Sequence, residues 1–181
     1  MDIYMQMSTT RRHNKILNEF VSRRENLNKA ENIDIFTSDC ALAHWGSKRK
    51  SNDICKLVDI NLIEDREYFK KRTINQLEYV QPDYMLFKNN ISLVNDFETI
   101  TAGFPDLVIE IWSDSNSEAE KEFKFNLYSS GSTCEHWYIT QDSNKVECFL
   151  GQDQLQEQNL TNILATNDGI KFDLRRIAIK S

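Results

Sequence analysis

Two carboxylates in apolar surroundings stand out as residues able to do chemistry. Glu110 lies in the middle of Leu107-Val108-Ile109-Glu110-Ile111-Trp112, a short apolar run with β-branched residues that reads as a strand buried on both faces. An ionised carboxylate there is costly unless it is protonated, paired with a cation or bound to a metal. Asp83 opens a second apolar run, Tyr84 to Phe87. If the two strands are neighbours, Asp83 and Glu110 can face one divalent cation between them. Asp106 is a poor substitute for Asp83: it precedes Glu110 by four residues on one strand, about 13 Å at ~3.3 Å per residue. It is better suited to cap or orient the strand start. Two carboxylates on adjacent strands suit Mg2+, which takes oxygen ligands. With a lysine close by they form the layout of metal-dependent phosphodiester hydrolysis, in which the ion activates a water and the lysine offsets charge on the phosphate.

The elements around these residues follow from local pattern. The chain has two prolines, in Pro82-Asp83 and Pro105-Asp106, and each pair opens a strand, where a missing N–H costs nothing. Behind Trp112, Ser115 with Glu118 and Ser117 with Glu120 fit the capping-box spacing, predicting a helix from near 116 that stops at Gly131. Residues 8–29 predict an amphipathic helix whose face carries His13, Ile16, Leu17, Phe20, Val21, Arg24 and Leu27. His13, at the edge of that face, fits a core histidine better than a catalytic one, and Glu19 and Glu25 on the flanks read as solvated. Residues 33–44 predict one or two strands, 54–63 a strand with Val58, Ile60 and Leu62 on one face, and 64–78 a short helix. Cys134–Thr140 and Lys145–Leu150 form a hairpin around Asp142-Ser143-Asn144, and Asn167-Asp168-Gly169 marks a further turn. The sum is one domain over 1–181, an α/β or α+β sandwich with a mixed set of strands, helices and an added C-terminal hairpin, and with a long charged segment at 46–78.

Composition narrows the function classes. With 40% hydrophobic and 28% charged residues the chain is an ordinary globular one. A net charge of −6 argues against coating nucleic acid by global charge, but not against a local basic face. Arg11-Arg12, Arg23-Arg24, Lys48-Arg49-Lys50 and Lys70-Lys71-Arg72 are the candidate patches, each read first as solvated surface. No apolar run reaches the ~18 residues of a membrane span, and Met1 to Met7 lack the basic and apolar regions of a signal peptide. Cys40, Cys55, Cys134 and Cys148 form neither a CxxC pair nor a zinc-ligand pattern with histidine, which points to a reducing compartment, the cytoplasm, with no membrane partner.

In PD-(D/E)xK nucleases the lysine sits two residues after the glutamate, a place held here by Trp112. Yet Pro105 to Ser113, followed by Glu120, Lys124, Tyr128 and Gly131 at fixed spacing and by Glu135-His136-Trp137-Tyr138-Ile139, resembles the Uma2 family, also called DUF820. Gln81-Pro82-Asp83, the helix carrying His13, Ile16 and Phe20, and the closing Gly169 to Leu174 extend the resemblance over most of the chain. The resemblance implies a restriction-endonuclease-like fold and a nuclease whose lysine has moved to the helix, at Lys124, with Lys121 as its nearest competitor. It implies Mg2+, with Mn2+ as substitute, held by Asp83, Glu110 and the Ile111 backbone carbonyl. His13, Glu19, Asp106, Lys121 and Tyr128 become candidate supporting residues, and Lys48, Arg49 and Lys50 candidate contacts to nucleic acid, DNA foremost, in a homodimer. The alternative is a catalytically silent protein of the same fold that binds nucleic acid or a protein partner.

Overall fold

A computed structural model of the chain describes residues 11–22, 33–46, 55–72, 74–88 and 100–180. The two strands that open on Pro-Asp are neighbours: β5 (Tyr84–Lys88) runs antiparallel to β7 (Leu107–Trp112), with Tyr84 opposite Ile109 and Leu86 opposite Leu107. With β1 (Ile33–Thr37), β8 (Glu135–Thr140), β9 (Lys145–Leu150) and β10 (Asp153–Gln154) they make a sheet in the order β1-β5-β7-β8-β9-β10, and β11 (Gln158–Asn159) also pairs with β9. The β7–β8 pair is parallel, so the chain must cross over the sheet between them, and the helix predicted behind Trp112 makes that crossing.

That helix, here α3 (Glu118–Ser129), is capped by the Ser117 hydroxyl, which accepts from the Glu120 N–H at 3.1 Å. It ends before Gly131, where a Cβ would lie 2.2 Å from the Phe104 ring. All six residues of β7 are buried, as a run without polar alternation requires. Leu107, Ile109 and Ile111 pack with Ile16 and Phe20 of α1 (Arg11–Ser22), while Val108 and Trp112 pack with Leu127 and Tyr128 of α3. The central strand is therefore sandwiched between the two helices. Of the helix predicted over 8–29, residues 23–29, with Arg23, Arg24, Glu25 and Leu27, lie outside the described residues, as do 8–10.

The predicted strand region at 33–44 divides between two sheets, β1 joining the large one and β2 (Ala41–Trp45) a smaller one. In the smaller sheet β2 pairs with β3 (Lys56–Leu57), β4 (Glu78–Val80) and β6 (Ile100–Thr101). The strand expected over 54–63 shrinks to β3, because Asp59 builds a turn: its carboxylate accepts from the Asn61 N–H at 3.0 Å and its carbonyl from the Leu62 N–H at 3.1 Å. Val58 and Ile60 are buried but Leu62 is exposed, so the three do not share a face. The helix expected over 64–78 is shorter, α2 (Ile63–Lys70), followed by a tight turn at Ile74–Gln76. Phe69 of α2 packs with Trp45, Ile60 and Leu77, and the Trp45 indole donates to Asp65 at 3.1 Å. What composition marked as a charged insertion thus carries its own small core.

The C-terminal turn at Asn167-Asp168-Gly169 joins β12 (Ile163–Ala165) to β13 (Lys171–Asp173), with Gly169 at a φ of 95° that favours glycine. Phe172 and Leu174 complete the core on the α1 face. The next residues grip α1 itself: Arg176 pairs with Glu19, and Arg12 donates to the Ile177 carbonyl and, at 3.2 Å, to that of Gln141. Glu19 is buried in this contact, not solvated as its flank position suggested. Among the described residues no helix is long and apolar enough to cross a membrane.

Candidate active site

One step beyond the Tyr84–Ile109 pair, the antiparallel register sets Asp83 opposite Glu110. Both side chains are fully buried. Asp83 accepts from the Ile111 N–H at 2.7 Å through one oxygen, and the other lies 3.1 Å from Nε2 of His13. His13 is buried, as its place on the helix face suggested, and α1 sets it against the Asp83 carboxylate. Glu110 points to the α3 side, where Lys124 Nζ donates to Oε2 at 3.0 Å and the Tyr128 hydroxyl to Oε1 at 2.5 Å. Lys124 and Tyr128 are four residues apart on α3, so they share one helix face and reach the same carboxylate. Lys124 is itself buried.

The other sequence candidates separate clearly. Lys121 pairs at 2.8 Å with Glu118 on the exposed side of α3 and is not in the cluster. Asp106 accepts from the Lys88 N–H at 2.6 Å, fastening the start of β7 to the end of β5. Glu19 is engaged by Arg176. Lys48, Arg49 and Lys50 lie outside the described residues. Ile111 stands beside both acids, following Glu110 in the chain and donating its N–H to Asp83.

Two residues of the cluster were overlooked as site residues. Glu120 is buried, with Oε1 3.7 Å from Lys124 Nζ, and Asn116 donates to its Oε2 at 3.2 Å. Its position four residues before Lys124 was the available signal, the spacing at which Glu and Lys meet on a helix. Capping propensity masked it. Trp112, in the place where a strand lysine would stand, lays its ring 5.5 Å from the Lys124 ammonium.

Burial and charge set the protonation of the group. Desolvation pushes the Glu110 carboxyl up to about 7, with the Asp83 charge adding to the rise and Lys124 opposing it. For Lys124, burial would lower the pKa, but the charges of Glu110 and Asp83 outweigh it and the net shift is upward, so the ammonium persists. The Tyr128 hydroxyl is held well above its usual range by burial and by the Glu110 charge, and acts as a donor. Burial of His13 is likewise outweighed by its hydrogen bond to Asp83 and that carboxylate's charge, and its pKa rises.

The donor set suits a hard, well-hydrated ion. Mg2+ is commonly held by one or two carboxylates, with water and substrate phosphate completing its shell. Asp83 and Glu110, set opposite each other by the register with Ile111 beside them, are the residues that could hold such an ion. Among the described residues no three His, Cys, Asp or Glu side chains are grouped to hold a metal.

A family model for Uma2, described as "Putative restriction endonuclease", matches residues 46–175. The chain belongs to the Uma2 family. Its fold is similar to that of a solved structure from Anabaena variabilis ATCC 29413, described as "a putative nuclease belonging to DUF820", with a TM-score of 0.61 over 96% of this chain and 85% of that one. Sequence identity is 16%, so this likeness bears on the fold, which is the restriction-endonuclease-like one. No curated protein matches the chain. In this Uma2 protein the segment 46–175 takes in Asp83, Glu110, Glu120, Lys124 and Tyr128, while His13 comes from the helix ahead of it.

Proposed function

We propose that this Uma2 protein is a Mg2+-dependent nuclease that hydrolyses phosphodiester bonds of nucleic acid, DNA foremost. The observation that carries the reading is the buried ammonium of Lys124, 3.0 Å from Glu110 beside Asp83. From a helix, it restores the acid–acid–lysine set that Trp112 denies to the strand. Asp83, Glu110 and the Ile111 carbonyl would hold the ion. Bound there, Mg2+ supplies Lewis acidity and lowers the pKa of a coordinated water.

The protein's own residues do the rest. His13 and the Ile111 N–H fix the Asp83 carboxylate, and Tyr128 fixes that of Glu110, so neither acid has to reorganise during reaction. Lys124 donates to the phosphate oxygen on which charge grows, and the dry surroundings of α3 and β7 strengthen that interaction.

The test is cleavage of duplex DNA, single-stranded DNA and RNA by the full chain in Mg2+, Mn2+ or chelator. Asp83→Asn and Glu110→Gln should abolish cutting, and Lys124→Met should slow it by ~10²-fold, as loss of one transition-state donor commonly does. Lys121→Met should cut like the parent. Equal rates for the parent and all four variants would move the activity away from this site. A parent that binds these polymers without cutting any would replace the reading with a catalytically silent binding protein.

A further inference from the structure

We infer that Glu120 is the counter-ion to which Lys124 turns when a divalent ion takes up Glu110, which makes Glu120 a positioning residue for the lysine. The inference rests on the nuclease reading above. Lys124 lies between two buried carboxylates at unequal distances: 3.0 Å from Glu110 Oε2, a hydrogen bond, and 3.7 Å from Glu120 Oε1, an ion pair not yet closed to one. Glu120 is aimed. Its Oε2 is tied to the Asn116 amide at 3.2 Å, and the amide is itself oriented because Asn116 Oδ1 accepts from the Ser113 N–H at 2.9 Å. This chain, from the loop after β7 to the first turn of α3, leaves Oε1 facing the lysine. The helix N-terminus favours a carboxylate in that turn.

Electrostatics gives the arrangement a consequence. With a divalent ion held by Glu110, the Lys124 ammonium would lose its share of that carboxylate and be repelled. A buried ammonium that loses its counter-charge is costly unless another is at hand. Closing the gap to Glu120 needs less than about 1 Å, since charge-assisted hydrogen bonds form near 2.8 Å, and the lysine stem has the torsional freedom for it. Tyr128 continues to hold Glu110 from its other oxygen while the lysine moves. Lys124 then stands beside the ion, still charged and still directed by Trp112 and Glu120.

A double-mutant cycle on metal affinity tests this without reference to turnover. Mn2+ binding to the full chain is measured by titration calorimetry for the parent, Glu120→Gln, Lys124→Met and the double variant. Glu120→Gln should weaken Mn2+ about tenfold in the parent, within the coupling expected of residues in contact, and less than about twofold once Lys124 is methionine. Glu120→Asp, which keeps the charge, should recover part of the loss and covers the case in which the glutamine variant folds poorly. Equal losses in both backgrounds would mean that Glu120 acts only as added negative charge, and overturn the inference. So would undiminished binding by Glu120→Gln. Glu110→Gln separates the two levels: if it leaves Mn2+ binding intact, the nuclease reading fails and this inference with it. If Glu110 is required but the cycle shows no coupling, this inference alone falls.

Discussion

Glu110 divides its two oxygens between Lys124 and Tyr128 in a place closed to water, and that combination decides how the site responds to pH. Desolvation lifts its carboxyl from the ordinary 4.5 to about 7. A protonated Glu110 is a poor ligand, so metal uptake below pH 7 has to expel a proton. Mn2+ affinity should therefore rise between pH 6 and 8 and level off above, with the raised pKa of His13 beside Asp83 acting in the same direction. Titrations across that range measure it, and a flat profile would mean that Glu110 does not bind the ion. Stability carries the opposite slope. A carboxyl whose pKa is raised on folding keeps its proton in the native state, so its contribution is full below 4.5 and is lost as pH rises through about 7. Relative to the parent, Glu110→Gln should gain stability between pH 5 and pH 8 in urea unfolding.

At the scale of elements, α3 is the carrier on which the site depends. It brings Glu120, Lys124 and Tyr128 to β7 on one face, and its first turn is held by the Ser117 cap. Ser117→Ala should lower unfolding free energy by about 1 kcal/mol, the usual worth of such a cap. Denaturant titration would detect this, and an unchanged midpoint would show that the cap is dispensable. On the other face, Ile16 and Phe20 dock α1 on the sheet, and the helix carries His13 to Asp83. Arg176 on Glu19 and the Ile177 and Gln141 carbonyls on Arg12 add polar contacts.

The whole molecule is acidic, with a net charge of −6, yet is read as an enzyme acting on a polyanion. Attraction to nucleic acid must then be local. Lys48-Arg49-Lys50 lies in the segment that joins β2 to β3 in the smaller sheet, outside the described residues. If the triplet contacts phosphates, replacing all three by alanine should weaken duplex binding and reduce the slope of log affinity against log salt by about 0.9 per lost contact. Fluorescence anisotropy over a salt series measures that slope, and an unchanged slope would return the triplet to solvated surface.

Much of this arrangement was legible locally. The apolar run around Glu110, the serines and glutamates behind it and the Asn167-Asp168-Gly169 turn specify β7, α3 and the last hairpin, because strand periodicity, helix capping and positive φ are properties of a few adjacent residues. The Pro-Asp pairs and the family spacing marked Asp83, Glu110 and Lys124 as candidates, with Lys121 as the competing lysine. Tertiary structure decided what those signals left open. Lys121 and Lys124 differ by less than one helical turn, and only the docking of α3 on the sheet sends one to solvent and the other to Glu110. Glu19 looked like a flank residue because its partner, Arg176, lies 157 residues away. The strands at Ile33–Thr37 and Ala41–Trp45 were told apart by their partners, β5 for one and β3, β4 and β6 for the other. Local pattern encodes which backbone shape a segment takes and which of its faces is apolar. Which remote carboxylate, arginine or strand meets that face is a contact energy between distant residues, and it exists only once the chain has folded.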